Sequence, residues 1–354
     1  MKPGMFRTAG CARLTAIAAL GALSAAAQAA PQYHLAQEVK LPGDGGWDDL
    51  TFDDGAHRLF ISHGTQVLVV DTDKLTVAGT IEDTPGVHGI ALATDVGHGY
   101  ISAGRSGNVV VFDLKTLARL KDIKATGENP DAILYDSATH RVFSFNGRGR
   151  NATVIDSRSD EVVGTIALDA KPEFAVSDGK GTVYVNLEDK SSIAQIDAQH
   201  MKVTAVWPVS GCEEPSGLAI DIANQRLFAG CGNKVMAVVD ARSGHTLGTA
   251  PIGQGVDGAK YDSGMQLAFA SCGEGVLTAV SSDAGGKPHL AQSIATQRGA
   301  RTMTLDEHTH RIFLVTASFG PPPPATPDTP HPRPAMLPGS FRLLVVEPVK
   351  GSSP

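Results

Sequence analysis

Starting at Trp47, the chain reads as an apolar strand, a polar turn and a second apolar strand (WDDLTFDDGAHRLFIS). The same cadence returns at Pro130 (PDAILYDSATHRVFSF), Pro215 (PSGLAIDIANQRLFAG) and Ala300 (ARTMTLDEHTHRIFLV), with weaker copies at Val87, Pro172 and Val256. One aromatic column runs through all seven: Phe60, Tyr100, Phe143, Tyr184, Phe228, Phe269 and Phe313, at gaps of 40, 43, 41, 44, 41 and 44 residues. A second column, Asp71, Asp113, Asp156, Asp197 and Asp240, closes the following Val-Val-Asp-like strand. A fourth strand follows in each unit, as at Val77–Ile81 or Val162–Leu168. Runs such as Gln66-Val-Leu-Val-Val are apolar on both faces, which suits inner strands sandwiched between sheets. No segment carries a helical period. Four strands per period of 40–45 residues predict an all-β, seven-bladed β-propeller.

Closure is legible from the ends. The last unit has strands at 302–305, 311–316 and Phe341–Val346 but no fourth, while Tyr33–Leu41 is a strand with no unit of its own. Strand 33–41 is therefore expected to complete the seventh blade and cover an otherwise open sheet edge. The blades are expected at about 47–83, 87–127, 130–169, 172–212, 215–253, 256–299 and 300–348 plus 33–41. A proline-rich insertion, 321–338, interrupts the last blade; prolines at that density cannot join a sheet. It reads as a surface loop, as a partner-binding arm or as a flap over the mouth.

Upstream of the repeats, Lys2, Arg7 and Arg13 precede the apolar run Leu14–Ala27 and the triplet Ala27-Gln28-Ala29. This is the pattern of a secretory signal peptide, residues 1–29, cleaved after Ala29. The run is too short and Ala-rich for a permanent membrane helix, and no later stretch could span. A periplasmic or secreted protein of residues 30–354 is expected, read as one propeller domain and a monomer. The full sequence carries a net charge of −7, three units more negative once the signal's basic residues leave. An acidic chain with no basic run offers no footprint for nucleic acid. Aromatics at 5% and 39 glycines fit short strands and tight turns.

The turn-Arg-apolar-Phe units His57-Arg58-Leu59-Phe60, His140-Arg141-Val142-Phe143 and His310-Arg311-Ile312-Phe313 resemble the YncE-like family, whose repeats are of the YVTN type. The Val-Val-Asp endings and the continuations Gly79-Thr-Ile and Gly164-Thr-Ile add to the likeness. The resemblance covers nearly all of the chain after the signal. It implies a secreted or periplasmic propeller with a loosely defined role. A DNA-binding role suggested within the family does not carry over to so acidic a chain.

Up-and-down connectivity sends the start of each inner strand and the end of each second strand toward one mouth. The repeat then gathers Asp48, His88, Asp131, Glu173, Ser216, Asp257 and Arg301 from the first set, and His63, Ala103, Asn146, Leu187, Cys231, Cys272 and Thr316 from the second. Three readings stand. In one, the rim is a solvated polar channel whose charges pair with Arg301 and which binds a protein or small-molecule ligand. In another, Asp48, His88, Asp131, Glu173 and Asp257 hold a divalent cation. Carboxylates with Asn146 would suit Ca²⁺, while His63, His88 and a carboxylate would suit Zn²⁺. The metal would polarise a lactone or ester, with His88 or His63 as general base. The gluconolactonase and paraoxonase propellers offer an analogy of architecture only. In the third, an odd thiol or a bound cofactor serves a redox accessory role. For the cysteines, Cys212–Cys231 is the first choice of disulfide, leaving Cys272 free; Cys231–Cys272 and a soft-metal site with His63 are the alternatives. The pair His308-x-His310 reads as turn chemistry on the opposite face, and the Asp71 column as turn caps. No nucleophile elbow or Walker loop is present.

Overall fold

In a computed structural model, residues 31–324 and 334–349 are described, together with the isolated positions 1, 4 and 351. The expected signal segment and the middle of the proline-rich insertion lie outside the described residues. The described chain forms seven four-stranded antiparallel sheets. It contains no α-helix, only a 3-10 turn at Glu188–Lys190, so no helix is long and apolar enough to cross a membrane. In blade one the order runs outward from Trp47–Asp53 through Arg58–His63 and Gln66–Asp71 to Thr76–Ile81.

The alternation of side chains decides how blades stack. In blade one, Leu59, Ile61, Leu68 and Val70 face blade seven, and Phe60, Val67 and Val69 face blade two. Every middle strand does this in both directions, so the core consists of seven apolar layers, one per inter-blade gap. The aromatic column fills these layers: Phe60, Tyr100, Phe143, Phe228, Phe269 and Phe313 are at 0% exposure. Each such side chain contributes about 1.5–3 kcal/mol by leaving water. The two tyrosines also need a polar partner; Tyr100 and Tyr184 donate to the Ser157 and Ala241 carbonyls at 3.2 and 3.1 Å.

The turns are as regular as the layers. The residue before each second strand has positive φ at all seven positions: His57, Gly97, His140, Gly181, Gln225, Gln266 and His310. The expected turn role of His310 is thus seen; its ring lies 2.9 Å from Asp262 Oδ2, on the face away from the mouth. Asp71, Asp113, Asp156, Asp197 and Asp240 each accept backbone N–H groups two or three residues ahead, capping the turn to the outer strand.

Tyr33–Lys40 pairs antiparallel with Arg342–Pro348, Tyr33 opposite Pro348 and Lys40 opposite Arg342. It is the outer strand of blade seven, as the sequence predicts. Tyr33 is driven home: its ring packs edge-on to Phe269 of blade six at 5.0 Å, and its hydroxyl donates to Asp262. The proline-rich insertion leaves this sheet through a narrow neck, where Phe319 bridges Met336 and Leu337 donates to the Ser318 carbonyl.

Removing residues 31–41 should uncover the Arg342–Pro348 edge and empty the Tyr33 socket. The expected result is a lower urea midpoint and concentration-dependent light scattering. An unchanged midpoint in a monodisperse protein would contradict the closure.

Candidate functional site

The mouth is built by a backbone irregularity that recurs from blade to blade. In blade one Trp47 faces His63 and Leu50 faces Ile61, so Asp48 and Asp49 together oppose the single residue Ser62. The same bulge sets His88 and Gly89 against Ser102, Asp131 and Ala132 against Phe145, Glu173 and Phe174 against Asn186, and Ser216 and Gly217 against Gly230. Blade six shifts at Asp257. A bulge re-aims side chains, and in blades one to six it turns one residue into the channel mouth, whereas blade seven pairs without a shift and presents Arg301 from just before Met303–Asp306. Inner strands crowd at this level: a Cβ on Gly217 would lie 2.7 Å from the Asp257 carbonyl, and one on Gly258 2.9 Å from the Met303 amide. The residue opposite the bulge stitches the ring. Ser62 Oγ accepts from the Asp48 and Asp49 amides at 2.9 Å. Ser102, Asn186 and Ser271 donate to the Asp131, Ser216 and Arg301 carbonyls of the next blade.

The mouth side chains form one polar chain. Ser216 donates to Asp257 at 2.8 Å. Arg301 lies between two acids, donating to Asp257 on one side and to Asp48 at 3.1 Å and the Trp47 carbonyl at 3.1 Å on the other. His88 Nδ1 stands 2.5 Å from Asp48 Oδ2 and 3.3 Å from Asp131 Oδ1. Asn129 donates to Asp131 at 3.2 Å. Glu173 is held by Lys171 at 2.7 Å, and Lys171 also grips Glu188. Six sites of the first expected set, Asp48, His88, Asp131, Ser216, Asp257 and Arg301, are thus linked, with Glu173 beside them through its field on His88 and the field of Asp131 on it.

The charges respond to burial and to one another. Burial opposes ionisation of Asp48, but the hydrogen bond from His88 and the Arg301 guanidinium outweigh it and hold the carboxyl below its usual range. Burial likewise opposes the His88 cation, yet the bond to Asp48 and the field of Asp131 raise its pKa above an ordinary histidine's. Desolvation pushes Asp131 up to about 6 and Glu173 up to about 7. It also raises Asp257 in spite of Arg301. Asp49, the second residue of its bulge, goes to about 7 by desolvation. That residue and Lys260, neither singled out by the repeat, line a cavity of about 500 Å³ further down the channel with Phe52, Leu92, Leu134 and Phe174.

The second expected set does not reach the mouth. His63 shares its strand face with Leu59 and Ile61, so it enters the layer between blades seven and one. It is 2% exposed, stacks on Phe341 at 4.3 Å, and has its pKa lowered by burial. It therefore cannot share a metal with His88 or act there as a base. Asn146 is fully buried and donates to Asn151 and Thr153 of its own blade, which removes it from the expected Ca²⁺ set. Cys231 and Cys272 also point into inter-blade layers. Cys212 and Cys231 are joined as a disulfide with Cα atoms 5.4 Å apart. Cys272 is a buried thiol whose pKa desolvation pushes up to about 12. A thiol so protonated and enclosed is a poor nucleophile, which argues against Cys272 as the reactive group of the redox reading.

Asp48, His88 and Asp131 do offer three ligand atoms within 4.8 Å of one another. Two carboxylates and an imidazole suit a divalent cation in kind. Both Asp48 oxygens, however, are already engaged, one by His88 and one by Arg301. A cation there would have to displace the guanidinium.

No family model and no curated protein matches the sequence. Solved structures do. One described as "Crystal structure of RRP9 WD40 repeats" superposes with a TM-score of 0.74 at 9% identity, over 90% of this chain and 99% of that one. Another, "Structure of U3-55K", gives 0.72 at 8% identity, over 88% and 98%. The chain is a seven-bladed β-propeller with WD40-repeat structural neighbours. At such identities the likeness concerns the fold alone.

Near neutral pH the mouth groups together outweigh the one opposing shift, that of His63 lowered by burial, in setting how stability depends on pH. A raised His88 pKa means that its stabilisation is complete below the ordinary histidine value and is lost as pH rises through the folded value. Asp49, Asp131 and Glu173 keep protons that the unfolded chain releases near pH 4, so ionising them also weakens the folded state as pH rises toward about 7. Stability measured by urea should therefore fall between about pH 5 and 8. Asp49→Asn should flatten the slope. A rise in stability over that window would contradict the assignment.

Proposed function

We propose that this chain is an exported, YncE-like propeller that works as a binding or scaffold protein through the face carrying its channel mouth. The observation that carries the reading is the mutual pairing of the mouth charges. Arg301 lies between Asp48 and Asp257, and His88 between Asp48 and Asp131. A site prepared for catalysis by a metal keeps ligand atoms open, whereas here the groups satisfy one another. A paired, desolvated network makes a rigid platform, and a propeller with WD40-repeat neighbours suits protein interaction. Export rests on the basic, apolar and Ala-x-Ala pattern of residues 1–29. The recurring turn-Arg-apolar-Phe units support the YncE-like assignment. The disulfide Cys212–Cys231 agrees with an oxidising compartment.

The convergence of Asp48, His88 and Asp131 supports a second reading, a metal-dependent hydrolase of lactones or esters. In that case Arg301 would swing away, and His88 would be a ligand rather than a free base.

Elemental analysis separates the two. Protein from the extracytoplasmic fraction, with an intact mass that starts at Ala30, is purified without chelator. Metal near background, with no change in an Asp131→Ala, Asp257→Ala variant, is the expected result. Near-stoichiometric zinc or calcium that is lost in the variant would replace the binding reading with the hydrolase.

A further inference from the structure

Beside the mouth, between blades two and three, the same face carries a groove of about 470 Å³. Three cations line it, each from a different loop. Arg105 comes from the turn after His98–Ala103, Lys124 from the end of Arg119–Lys124, and Arg148 from the turn after Arg141–Asn146. None of the three side chains has a carboxylate partner among the described residues, and all three are exposed. Lys124 only donates to the Ser106 carbonyl, at 3.2 Å. Several other cations on this face are paired within the fold: Lys171 with Glu173 and Glu188, Arg150 with Asp189, and Arg301 with Asp48 and Asp257. On a chain of net charge −7, an unneutralised basic groove stands out.

The floor is kept bare by small residues: Gly104, Gly107, Ala125 and Gly127. A Cβ on Gly127 would meet Asn151 Oδ1 at 2.3 Å, and one on Gly107 would meet Lys124 Nζ at 2.9 Å. One acid, Glu128, also lines the groove, so the balance is three cations to one anion. The groove reaches the mouth network. Asn129 lines it while donating to Asp131, and a Cβ on Gly104 would lie 2.8 Å from the His88 ring.

We infer that this groove docks an acidic peptide segment of a partner protein, laid along the floor with successive carboxylates meeting Arg105, Lys124 and Arg148. The inference rests on the mouth face being the binding face. Charges distributed over three loops match an extended chain bearing several carboxylates. A single small anion would instead call for donors that converge on one point. Half-buried glycines along the floor, bearing no side chain, let a peptide main chain approach closely.

The test uses a fluorescein-labelled octaglutamate peptide and fluorescence anisotropy at low and at physiological salt. Binding is expected that weakens with salt and falls about tenfold in an Arg105→Ser, Arg148→Ser variant. The comparison variant, Lys115→Ser, Lys180→Ser, loses the same charge from turns on the opposite face and should stay within about twofold. Unchanged thermal melts establish that both variants are folded. Three results would overturn the inference: no binding by the folded wild type, equal weakening in both variants, or displacement by inorganic phosphate beyond its ionic-strength effect. Stoichiometric metal in the purified protein overturns the binding reading itself whatever the peptide does, so the two failures are distinguishable.

Discussion

The pairing of Tyr33–Lys40 with Arg342–Pro348 is the constraint on which the rest depends, because a propeller holds its shape only as a closed ring. Each blade buries both faces against its neighbours and has no core of its own, so an open ring would leave two apolar layers incomplete. The closing strand supplies the missing edge and inserts Tyr33 against Phe269 of the adjacent blade. Every other contact, including those at the mouth, is set by the resulting circumference.

Closure brings polar groups from distant parts of the sequence into a small circle. Arg301 and Asp48 are 253 residues apart in sequence and 3.1 Å apart in space. Four carboxylates forced onto one desolvated rim cannot all remain ionised without compensation. The chain answers with Arg301, Lys171 and a raised His88, and keeps part of the proton load on Asp131 and Glu173. This arrangement uses the available charges internally. The three cations of the neighbouring groove stay outside this pairing and are open to a partner.

Much of the fold was legible because it is written in residue type at fixed spacing. The aromatic column marks the inter-blade layers, and the Asp71 column marks the caps. The unattached strand near Tyr33 marks the closure. The neighbours Cys212 and Cys231 were within reach once their hairpin was drawn. The mouth was legible in part. Asp48, His88, Asp131, Ser216, Asp257 and Arg301 follow from the repeat. What failed was the direction of the second-strand ends. A residue such as His63 continues the period-two face of Leu59 and Ile61 into an apolar layer, while the bulge opposite turns Asp48 inward. Bulge register is a backbone property that residue types mark only indirectly, and for the same reason Asp49 escaped notice. One signal was available: Ser62, Ser102 and Ser271 are polar positions in otherwise apolar strands, and each sits opposite a bulge.

Arg301 is the internal counter-ion of the mouth. A double-mutant cycle with Arg301→Met and Asp257→Asn, read by urea denaturation near pH 7, tests it most directly. Arg301→Met leaves Asp48 and Asp257 without their shared cation and should be the more destabilised single variant, Asp257→Asn leaves Arg301 its bond to Asp48, and the double variant should fall short of their sum by about 0.5–3 kcal/mol. Additivity to within about 0.3–0.5 kcal/mol would contradict the claim and leave the mouth carboxylates in need of another cation.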